Sequence, residues 1–542
     1  MKKMVRILSL FLAVVLTLGI LSGCGTDEST LENDKYTYWV SLSSAASSTI
    51  KSYNDLLMYQ EMSKRTGIDV EFIHPSSGST GTEAFQILLA SGDYPDMVEY
   101  SWNSYPGGPD AAINDGVIIS LNDYLEDYAP NYYSYMEGKK SKENPLYRVQ
   151  TITQAGNYYG FKNLNIGSYR SFSGLYVRKD FLDKWGLDIP VTIDDWTELF
   201  KTAKKNGCSR PLTSGKDLLA VNGYNYFNSA WNVGKQFYVD NGKIQFGLEK
   251  PEYKLYLNQM AEWYKSGYID VDYITNDGTV VQAYMTNGTS VASVGPVGGG
   301  MGKLLTAMET RDPNYDLAAC PTPVLNEGDE SWFTVGLQGD AIGPEIAITN
   351  ACGEKDENRY KEAIKWCDYL YSDEGIILKS FGVEGETYET TTQSDGKIKY
   401  EYTISSPEVY EKFGATSVEA ALYHFFRPAN SPGFNQHDDY LDGYYPYAQQ
   451  KEAIKLWNIN AERSKKHTMP GLTYTGEEAT KIAEIKAKYS DKLETAVYRV
   501  ICGDDSMDQF DATVKEVKLG GYDELIKIYQ AAYERYKKVL NQ

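Results

Sequence analysis

The sequence of 542 residues is poor in the side chains that most often carry acid–base and metal chemistry. Its four histidines, at positions 74, 424, 437 and 467, are scattered along the chain. There is no HExxH and no GxSxG pattern, and VGGGMGKL at 297–304 lacks the first glycine and the final Ser or Thr of a phosphate-binding loop. Asn276-Asp277-Gly278 is predicted to be a turn and not a calcium loop. We therefore expect no catalytic residues, no metal and no other cofactor.

Cysteine is equally sparse. Besides Cys24 there are five, at positions 208, 320, 352, 367 and 502, and none forms a CxxC pair. An odd number cannot pair completely, so the fold does not rest on a disulfide framework. Most of these cysteines are predicted to be small buried apolar residues.

Positive charge is in deficit. The chain has 53 Lys and Arg against 74 Asp and Glu, a formal net charge of −21, which excludes nucleic acid and anionic lipid as ligands. Tyrosine is abundant, with 46 residues against 17 Phe and 9 Trp. Its ring offers a flat apolar face together with a hydroxyl group, which suits the recognition of polar ligands. The composition favours a binding protein over an acid–base catalyst.

The N-terminus has the organisation of an export signal. Basic residues at positions 2, 3 and 6 precede an apolar run over residues 7–21. This run is shorter than the roughly 20 residues that a membrane span needs, and it fits the core of a signal peptide. It ends in LSGC at 21–24, which resembles the bacterial lipobox. That resemblance implies that Cys24 becomes the lipidated first residue of the mature protein.

Residues 1–23 are thus predicted to be a lipoprotein signal peptide. The alternatives are an ordinary signal peptide with a chance cysteine, or an N-terminal membrane anchor. Residues 24–35 are polar and acidic and cannot bury a core, so they are predicted to form a flexible tether. Membrane attachment is expected through the lipid alone.

Predicted strands alternate with predicted helices over most of the remaining chain. Strands are predicted at 36–42 and 68–73, on either side of a helix at 52–65, and another strand at Met97–Tyr100. A second such region begins near residue 165, and the C-terminal third is mostly helical. This alternation predicts an α/β fold with a mainly parallel sheet.

Four longer segments resemble one known family in the same order. They are ILLASGDYPDMVEYSWNSYPGGPDAAINDGVIISLND (87–123), SGLYVRKDFLDKWGLDIPVTIDDWTELF (173–200), NGKIQFGLEKPEYKLYLNQMAEWYKSGYID (241–270) and WCDYLYSDEGIILKSFGVEGETYE (366–389). They resemble the family 1 extracellular solute-binding proteins of ABC importers, the clan of maltodextrin-binding protein. The resemblance implies a two-lobed periplasmic-binding-protein-like fold with hinge crossovers, expected near 160–170 and 333–345, and a helical C-terminal region.

Under this resemblance lobe 1 comprises residues 36–163 and about 338–405. Lobe 2 comprises residues 164–337 and about 406–542, including the C-terminal helices. These boundaries are expectations from the family alone.

The resemblance also implies a function. The protein would capture a mono- or oligosaccharide in a cleft between the lobes and deliver it to a membrane permease, while another subunit supplies the ATPase. We expect a non-catalytic monomer on the outer face of the cell membrane, of the Gram-positive type. Two alternatives stay open: a surface-anchored polysaccharide hydrolase or lyase, since its carboxylate pair need not be adjacent in sequence, and a peptide-binding importer subunit.

Candidate ligand contacts follow from the expected sheet. Open α/β sheets bind ligands at the carboxyl ends of their strands, so the loop after Met97–Tyr100 should face the cleft. In this loop the indole ring of Trp102 could stack on a pyranose, and the amide of Asn103 could bind hydroxyl groups. The alternative for Trp102 is that it only covers the end of the sheet. The predicted ligand-binding residues in this loop are Trp102, Asn103 and Tyr100. Trp39 at the end of the first strand and Trp332 before an expected crossover are added to them, and the family resemblance implies Trp231 as a stacking aromatic of the second lobe.

Overall fold

The computed structural model describes residues 35–540 apart from positions 48, 77–79, 355, 405, 416–417, 428–430 and 436. The apolar run, Cys24 and most of the predicted tether lie outside the described residues. The lipobox, signal-peptide and tether interpretations therefore stay predictions. The structure below is that of the unit that begins at Tyr36.

Strands within the described residues form two larger sheets and two hairpins. They are β1 Tyr36–Trp39, β2 Val70–Ile73, β3 Met97–Tyr100, β4 Phe161–Leu164, β5 Ser173–Arg178, β6 Phe237–Asp240, β7 Lys243–Phe246, β8 Ala292–Pro296, β9 Leu317–Ala319, β10 Ala341–Ile348, β11 Tyr388–Thr392, β12 Ile398–Tyr402 and β13 Gly433–Phe434.

Helices of nine or more residues within the described part of the chain carry most of the remaining structure. They are Leu57–Thr66, Gly81–Ser91, Ile193–Lys205, Pro251–Lys265, Gly278–Thr286, Asn358–Tyr369, Asp373–Phe381, Ala448–Trp457, Gly476–Cys502, Met507–Val517 and Asp523–Leu540. Shorter α-helices are Ser44–Ser47, Gly108–Asn114, Leu125–Tyr128, Pro130–Met136, Lys139–Glu143, Leu146–Val149, Lys179–Trp185, Lys303–Met308, Pro407–Tyr410, Val418–Leu422, Tyr440–Tyr444 and Ala461–His467.

The first sheet has six strands in the order β13-β4-β10-β3-β1-β2. β1 runs parallel to β2 and β3, and β13 runs parallel to β4, whereas β10 is antiparallel to both of its neighbours. The carboxyl ends of β1, β2, β3, β4 and β13 therefore share one edge, which we call the first edge. The predicted mainly parallel sheet is confirmed here.

The second sheet has three strands in the order β8-β5-β9, and β5 is antiparallel to both neighbours. The prediction of a parallel arrangement is wrong for this sheet, because β5 lies between β8 and β9 and both of these strands run opposite to it. Ser173 at the start of β5 lies opposite Pro296 at the end of β8. Leu212 bridges to Ala292 in parallel, so the segment after it ends beside β8. We call this side the second edge.

Three segments connect the two sheets. Residues 165–172 join β4 to β5, residues 320–340 join β9 to β10, and residues 435–447 join β13 to the helix Ala448–Trp457, which packs on β5 and β9. The first two overlap the crossovers expected from the family. β13 lies in the first sheet, although the division expected near residue 405 placed it with lobe 2; the lobe boundaries themselves stay predictions.

The helical C-terminal region predicted from the sequence is confirmed. The helix Gly476–Cys502 begins with a capping box: Thr475 Oγ1 accepts the Glu478 N–H at 3.2 Å, and the Glu478 carboxylate accepts the Thr475 N–H at 3.0 Å. Its side chains Leu493 and Val500 are buried in the same hydrophobic core as β5. The C-terminal helices are thus part of the core beneath the second sheet.

The cysteines behave as predicted. All five in the described residues are free thiols, and Cys208, Cys320, Cys352 and Cys367 are buried. In the described part of the chain, no helix is both long enough and apolar enough to span a membrane.

Candidate functional site

Aromatic rings fill the first edge. Trp102 follows β3 but folds back over it: its indole N–H donates to the Val98 carbonyl at 3.3 Å, and 1% of the residue is exposed. Phe85 meets the Trp102 ring edge-to-face at 5.4 Å and stacks on Tyr100 at 4.1 Å. Trp39, 5% exposed, packs beside Phe85. These rings form a small core in which Trp102, Trp39 and Phe85 are buried.

This geometry bears on four of the predicted ligand contacts. The burial of Trp102 and Trp39 supports the alternative in which Trp102 caps the sheet. Tyr100 is half-buried and its hydroxyl donates to Thr82 Oγ1 at 3.2 Å, while Asn103 is exposed. A ligand role for these residues stays a prediction.

A buried ion pair completes the first edge. Arg427 donates two hydrogen bonds to the Glu99 carboxylate, both at 2.6 Å, and the Tyr38 hydroxyl donates to the same group at 2.6 Å. The guanidinium also lies 4.6 Å from the centre of the Tyr53 ring. Burial, reinforced by the Glu99 carboxylate, raises the pKa of Tyr38 well above its ordinary value. These buried charges are thus paired with each other in the interior of the first edge.

The second edge, in contrast, is open. Two adjoining cavities of about 500 and 480 Å³ share Gly215, Asp217 and residues 294–296 at the end of β8. We call them together the groove. It is lined by Ser173, Tyr176, Gly215, Lys216, Asp217, Leu218, Asn222, Gly223, Tyr224, Tyr226, Ile274, Asn276, Asp277, Gly278, Val281, Gln282, Val294, Gly295, Pro296, Gly299, Gly300, Lys303 and Leu304.

Tyr224 gives the groove an exposed aromatic face. The residue is 54% exposed. Its ring packs against Gly336 of the second crossover, where a Cβ atom would come within 3.3 Å of the ring and where φ is +60°. Glycine therefore supplies both the backbone conformation and the space for the ring. One side of Tyr224 is anchored, and its exposed surface can receive a flat ligand.

Charged and amide groups surround this face. Lys216, Asp217 and Lys303 are exposed, and their side chains have no hydrogen-bond or ion-pair partner within the described residues. Asp277 caps the helix Gly278–Thr286 by accepting the N–H groups of the second and third helical residues, so the predicted turn at 276–278 is a helix start. An aromatic surface flanked by unpaired donors and acceptors can bind a ligand that carries many hydroxyl groups.

The two remaining predicted contacts lie outside the groove. Trp332 is half-buried and stacks on His467 at 4.2 Å with an interplanar angle of 8°. Trp231 is half-buried and meets Tyr256 at 6.0 Å. None of the six predicted contacts is among the described residues that line the groove. Their role as ligand contacts stays a prediction.

One feature of the sequence indicated the position of the groove, and it was a cluster of glycines and not the aromatic residues. The glycine cluster at 295–302 follows the end of β8 and forms a π-helical turn at Val297–Gly302. Cβ atoms at Gly295 and Gly300 would approach the Tyr176 hydroxyl to 3.4 and 3.3 Å. These glycines leave room for that hydroxyl. Because they have no side chains, they also leave space at the bottom of the groove. A glycine cluster directly after a strand was the available indication of an open site.

Within the described ranges, no group of three or more His, Cys, Asp or Glu side chains is placed to hold a metal ion.

Comparison with known proteins decides the family. The family model for bacterial extracellular solute-binding proteins matches residues 46–377, more than half of the chain. The chain belongs to this family.

The solute-binding protein is similar along nearly its whole length to two curated relatives. It is 23% identical to the polygalacturonan/rhamnogalacturonan-binding protein YtcQ of Bacillus subtilis, over 97% of this chain and 99% of that protein. It is 22% identical to the fructooligosaccharide ABC transporter substrate-binding protein FusA of Streptococcus pneumoniae, over 97% and 98%.

Solved structures agree on the fold. The alginate-binding protein AlgQ2 superposes with a TM-score of 0.70 at 20% identity, covering 92% of this chain and 98% of that one. FusA of S. pneumoniae in complex with kestose gives 0.70 at 18% identity, covering 93% and 99%. These neighbours are two-lobed solute-binding proteins, so the predicted fold class is confirmed. The named relatives are binding proteins rather than enzymes, which agrees with the predicted class.

Proposed function

We propose that this solute-binding protein captures a carbohydrate in the groove and delivers it to the permease of an ABC importer. The observation that carries the proposal is Tyr224, an exposed ring at a sheet edge beside the unpaired Lys216 and Asp217. A pyranose or furanose ring presents an apolar face to such a surface and hydroxyl groups to its rim. The ligands that give YtcQ and FusA their names are also saccharides.

Capture requires the two sheets to move relative to each other. The ligand would lie on the groove and be covered from the first edge, where Asn103 is the exposed predicted contact. The crossovers at 165–172 and 320–340 would bend, and Gly336 in the second already has a left-handed conformation. A ligand that contacts both edges binds the closed form better and shifts the population toward it.

The anchor is a separate part of the proposal. The LSGC sequence at 21–24 supports lipidation of Cys24, which would hold the protein on the outer face of the cell membrane. The lipoprotein LipO of B. subtilis is 24% identical over 57% of this chain. Replacing Cys24 with alanine should release the protein into the medium; retention in the membrane fraction would contradict lipid anchoring.

Calorimetric titration of the mature chain with kestose, trigalacturonate and a mixed tripeptide tests the function. We expect one saccharide to bind without being consumed, and the peptide not to bind. Formation of shorter products would favour the alternative of a hydrolase or lyase, and binding of the peptide alone would favour the peptide-importer alternative. With the bound saccharide at saturation, solution scattering should show a smaller radius of gyration; an unchanged curve would argue for a rigid binding surface.

A further inference from the structure

Residues 215–226, which we call the groove wall, carry Lys216, Asp217 and Tyr224. Within this segment the regular structure is a single 3-10 turn, Lys216–Leu218. Internal hydrogen bonds therefore cannot fix the whole segment, and its conformation depends on contacts from elsewhere. Together, these contacts must outweigh the conformational entropy that the segment loses when it is ordered.

One such contact comes from the C-terminal region. Glu494, on the helix Gly476–Cys502, accepts the backbone N–H of Val221 at 2.8 Å. The two residues are 273 positions apart in the sequence. Glu494 also lies beyond residue 377, where the match to the family model ends. The long helix Gly476–Cys502 therefore contacts the groove wall through a residue that lies outside the match to the family model.

A second contact comes from Lys235, which is 3% exposed. Its ammonium donates to the Leu218 carbonyl at 2.7 Å and lies 3.5 Å from the Asp217 carbonyl. Burial lowers the pKa of Lys235 to about 7, while the carboxylates of Glu494 and Asp217 oppose this shift. Removing an ammonium group from water is unfavourable unless hydrogen bonds compensate for the lost hydration. We therefore infer that the hydrogen bonds from Lys235 to the 217–218 carbonyls hold this part of the groove wall in place.

We propose that Glu494 and Lys235 are positioning residues that hold the groove wall in its ligand-binding conformation, so that the long C-terminal helix is part of the binding apparatus. The inference rests on the proposed function of the groove. Without Glu494 the Val221 N–H loses its charged acceptor, and the wall becomes more mobile. Ligand binding must then order the wall again, which reduces the affinity.

The test compares Glu494→Ala, Glu494→Gln and a control. Glutamine keeps an oxygen that can accept the Val221 N–H, whereas alanine does not. Asp368 is the control, because its carboxylate also accepts a backbone N–H from a distant segment, that of Tyr132 at 2.8 Å, beside the core of the first sheet. It accepts two further hydrogen bonds from Asn131, so its loss should cost at least as much stability. Asp368→Ala should lower the melting temperature without affecting the groove.

Two measurements are made on each variant. The first is the Kd for kestose or trigalacturonate, whichever the wild-type protein binds. Glu494→Ala should weaken it by roughly tenfold, the equivalent of one charge-assisted hydrogen bond at about 1.4 kcal/mol per factor of ten, and Glu494→Gln should restore most of the loss. The second is hydrogen–deuterium exchange of the 215–226 peptide without saccharide, which should be faster in Glu494→Ala and in Lys235→Met.

The outcomes separate the two proposals. If neither saccharide binds to the wild-type protein, the proposed function fails for these ligands, and the exchange measurement still decides the positioning role. If Glu494→Ala changes only the melting temperature, as Asp368→Ala does, the positioning role is overturned. If Glu494→Ala does not fold, the positioning role is tested with Glu494→Gln and Lys235→Met instead. Unchanged hydrogen exchange of the groove wall in Lys235→Met would also overturn the positioning role.

Discussion

The two sheet edges occupy the same topological position and have opposite characters. At the first edge Trp102 folds back over β3 and is 1% exposed, while at the second edge Tyr224 is 54% exposed beside an open groove. The helix Gly81–Ser91 supplies Phe85 to cover the first edge, whereas glycines at 295 and 300 line the second. An aromatic residue after a strand thus becomes core or binding surface according to what other elements place next to it.

The largest effect is expected from breaking the buried ion pair of the first edge. Arg427→Met leaves the Glu99 carboxylate buried without its cation, since the side chain of Glu99 is 1% exposed. We expect the free energy of unfolding to fall by about 3–5 kcal/mol, measured by urea denaturation. Adding Glu99→Gln should recover part of this loss.

The control for that change is a pair on the surface. Glu330, whose side chain is 71% exposed, pairs with Arg463. Glu330→Gln removes the charge from this pair and keeps the hydrogen bonds of Arg463 to the Ser331 carbonyl and to Asn460 Oδ1, so it should cost no more than about 1 kcal/mol. Equal losses in Arg427→Met and Glu330→Gln would show that the first edge is not a closed interior.

Trp102→Ala tests whether the ring at the first edge is core. Removing a fully buried tryptophan should cost about 3–5 kcal/mol of unfolding free energy, with little change in saccharide affinity. Thermal denaturation and calorimetric titration of the same variant check both quantities. The reverse result, a weaker affinity with unchanged stability, would restore Trp102 as a ligand contact.

Tyr224→Ala should show the opposite pattern at the second edge. Its ring is half exposed, so the melting temperature should change little. Saccharide affinity should fall by about 1–3 kcal/mol, by analogy with the loss of an aromatic stacking partner for a nucleobase. Tyr224→Phe keeps the ring and should retain most of the affinity; if both variants bind as well as the wild-type protein, Tyr224 is not the stacking surface.

Much of the fold was predictable because its signals are local. β3 has the predicted bounds Met97–Tyr100. The helix Ile193–Lys205 begins with a capping box between Thr192 and Asp195, a pattern that can be read from the local sequence. The hairpin β11–β12 was missed, although its Asp395-Gly396 turn is a recognised hairpin signal and Gly396 has φ +83°. That omission concerns a local pattern, so closer attention to turn residues would have found the hairpin.

The site could not be predicted in the same way. Whether Trp102 is buried depends on Phe85, which comes from another helix and packs against it only in the folded chain. The groove wall depends on Glu494, 273 positions from Val221. Such contacts follow from the tertiary arrangement and leave no mark in the local sequence.

A pH dependence of the stability, carried by Lys235, is also expected. Its ordinary pKa of 10.5 applies in the unfolded chain and a pKa of about 7 in the native state. Between these values the unfolded chain binds more protons, so stability should rise with pH from about 7 toward 10.5, by at most about 1.4 kcal/mol per pH unit. The groups that face this ammonium are Glu494, Asp217 and Tyr226.

Lys235→Met removes this contribution, so the difference in unfolding free energy between variant and wild type should change between pH 7 and 9. Lys379 of the first sheet is the counterpart: it is buried, its pKa is lowered by burial, and it donates to the carbonyl groups of Ser431 and Phe434. Lys379→Met should show the same pH trend while leaving exchange in the groove wall unchanged. A pH-independent difference for Lys235→Met would mean that this lysine titrates normally.

The interleaved order of the strands has a consequence for how the chain is made. β10 lies between β3 and β4 in the first sheet, and the core beneath the second sheet includes Tyr529. Neither core is complete until nearly the whole polypeptide has left the ribosome, and contacts so distant in sequence form slowly. The native cores therefore cannot form during most of the synthesis, which is compatible with the predicted export of the chain through a narrow secretion channel.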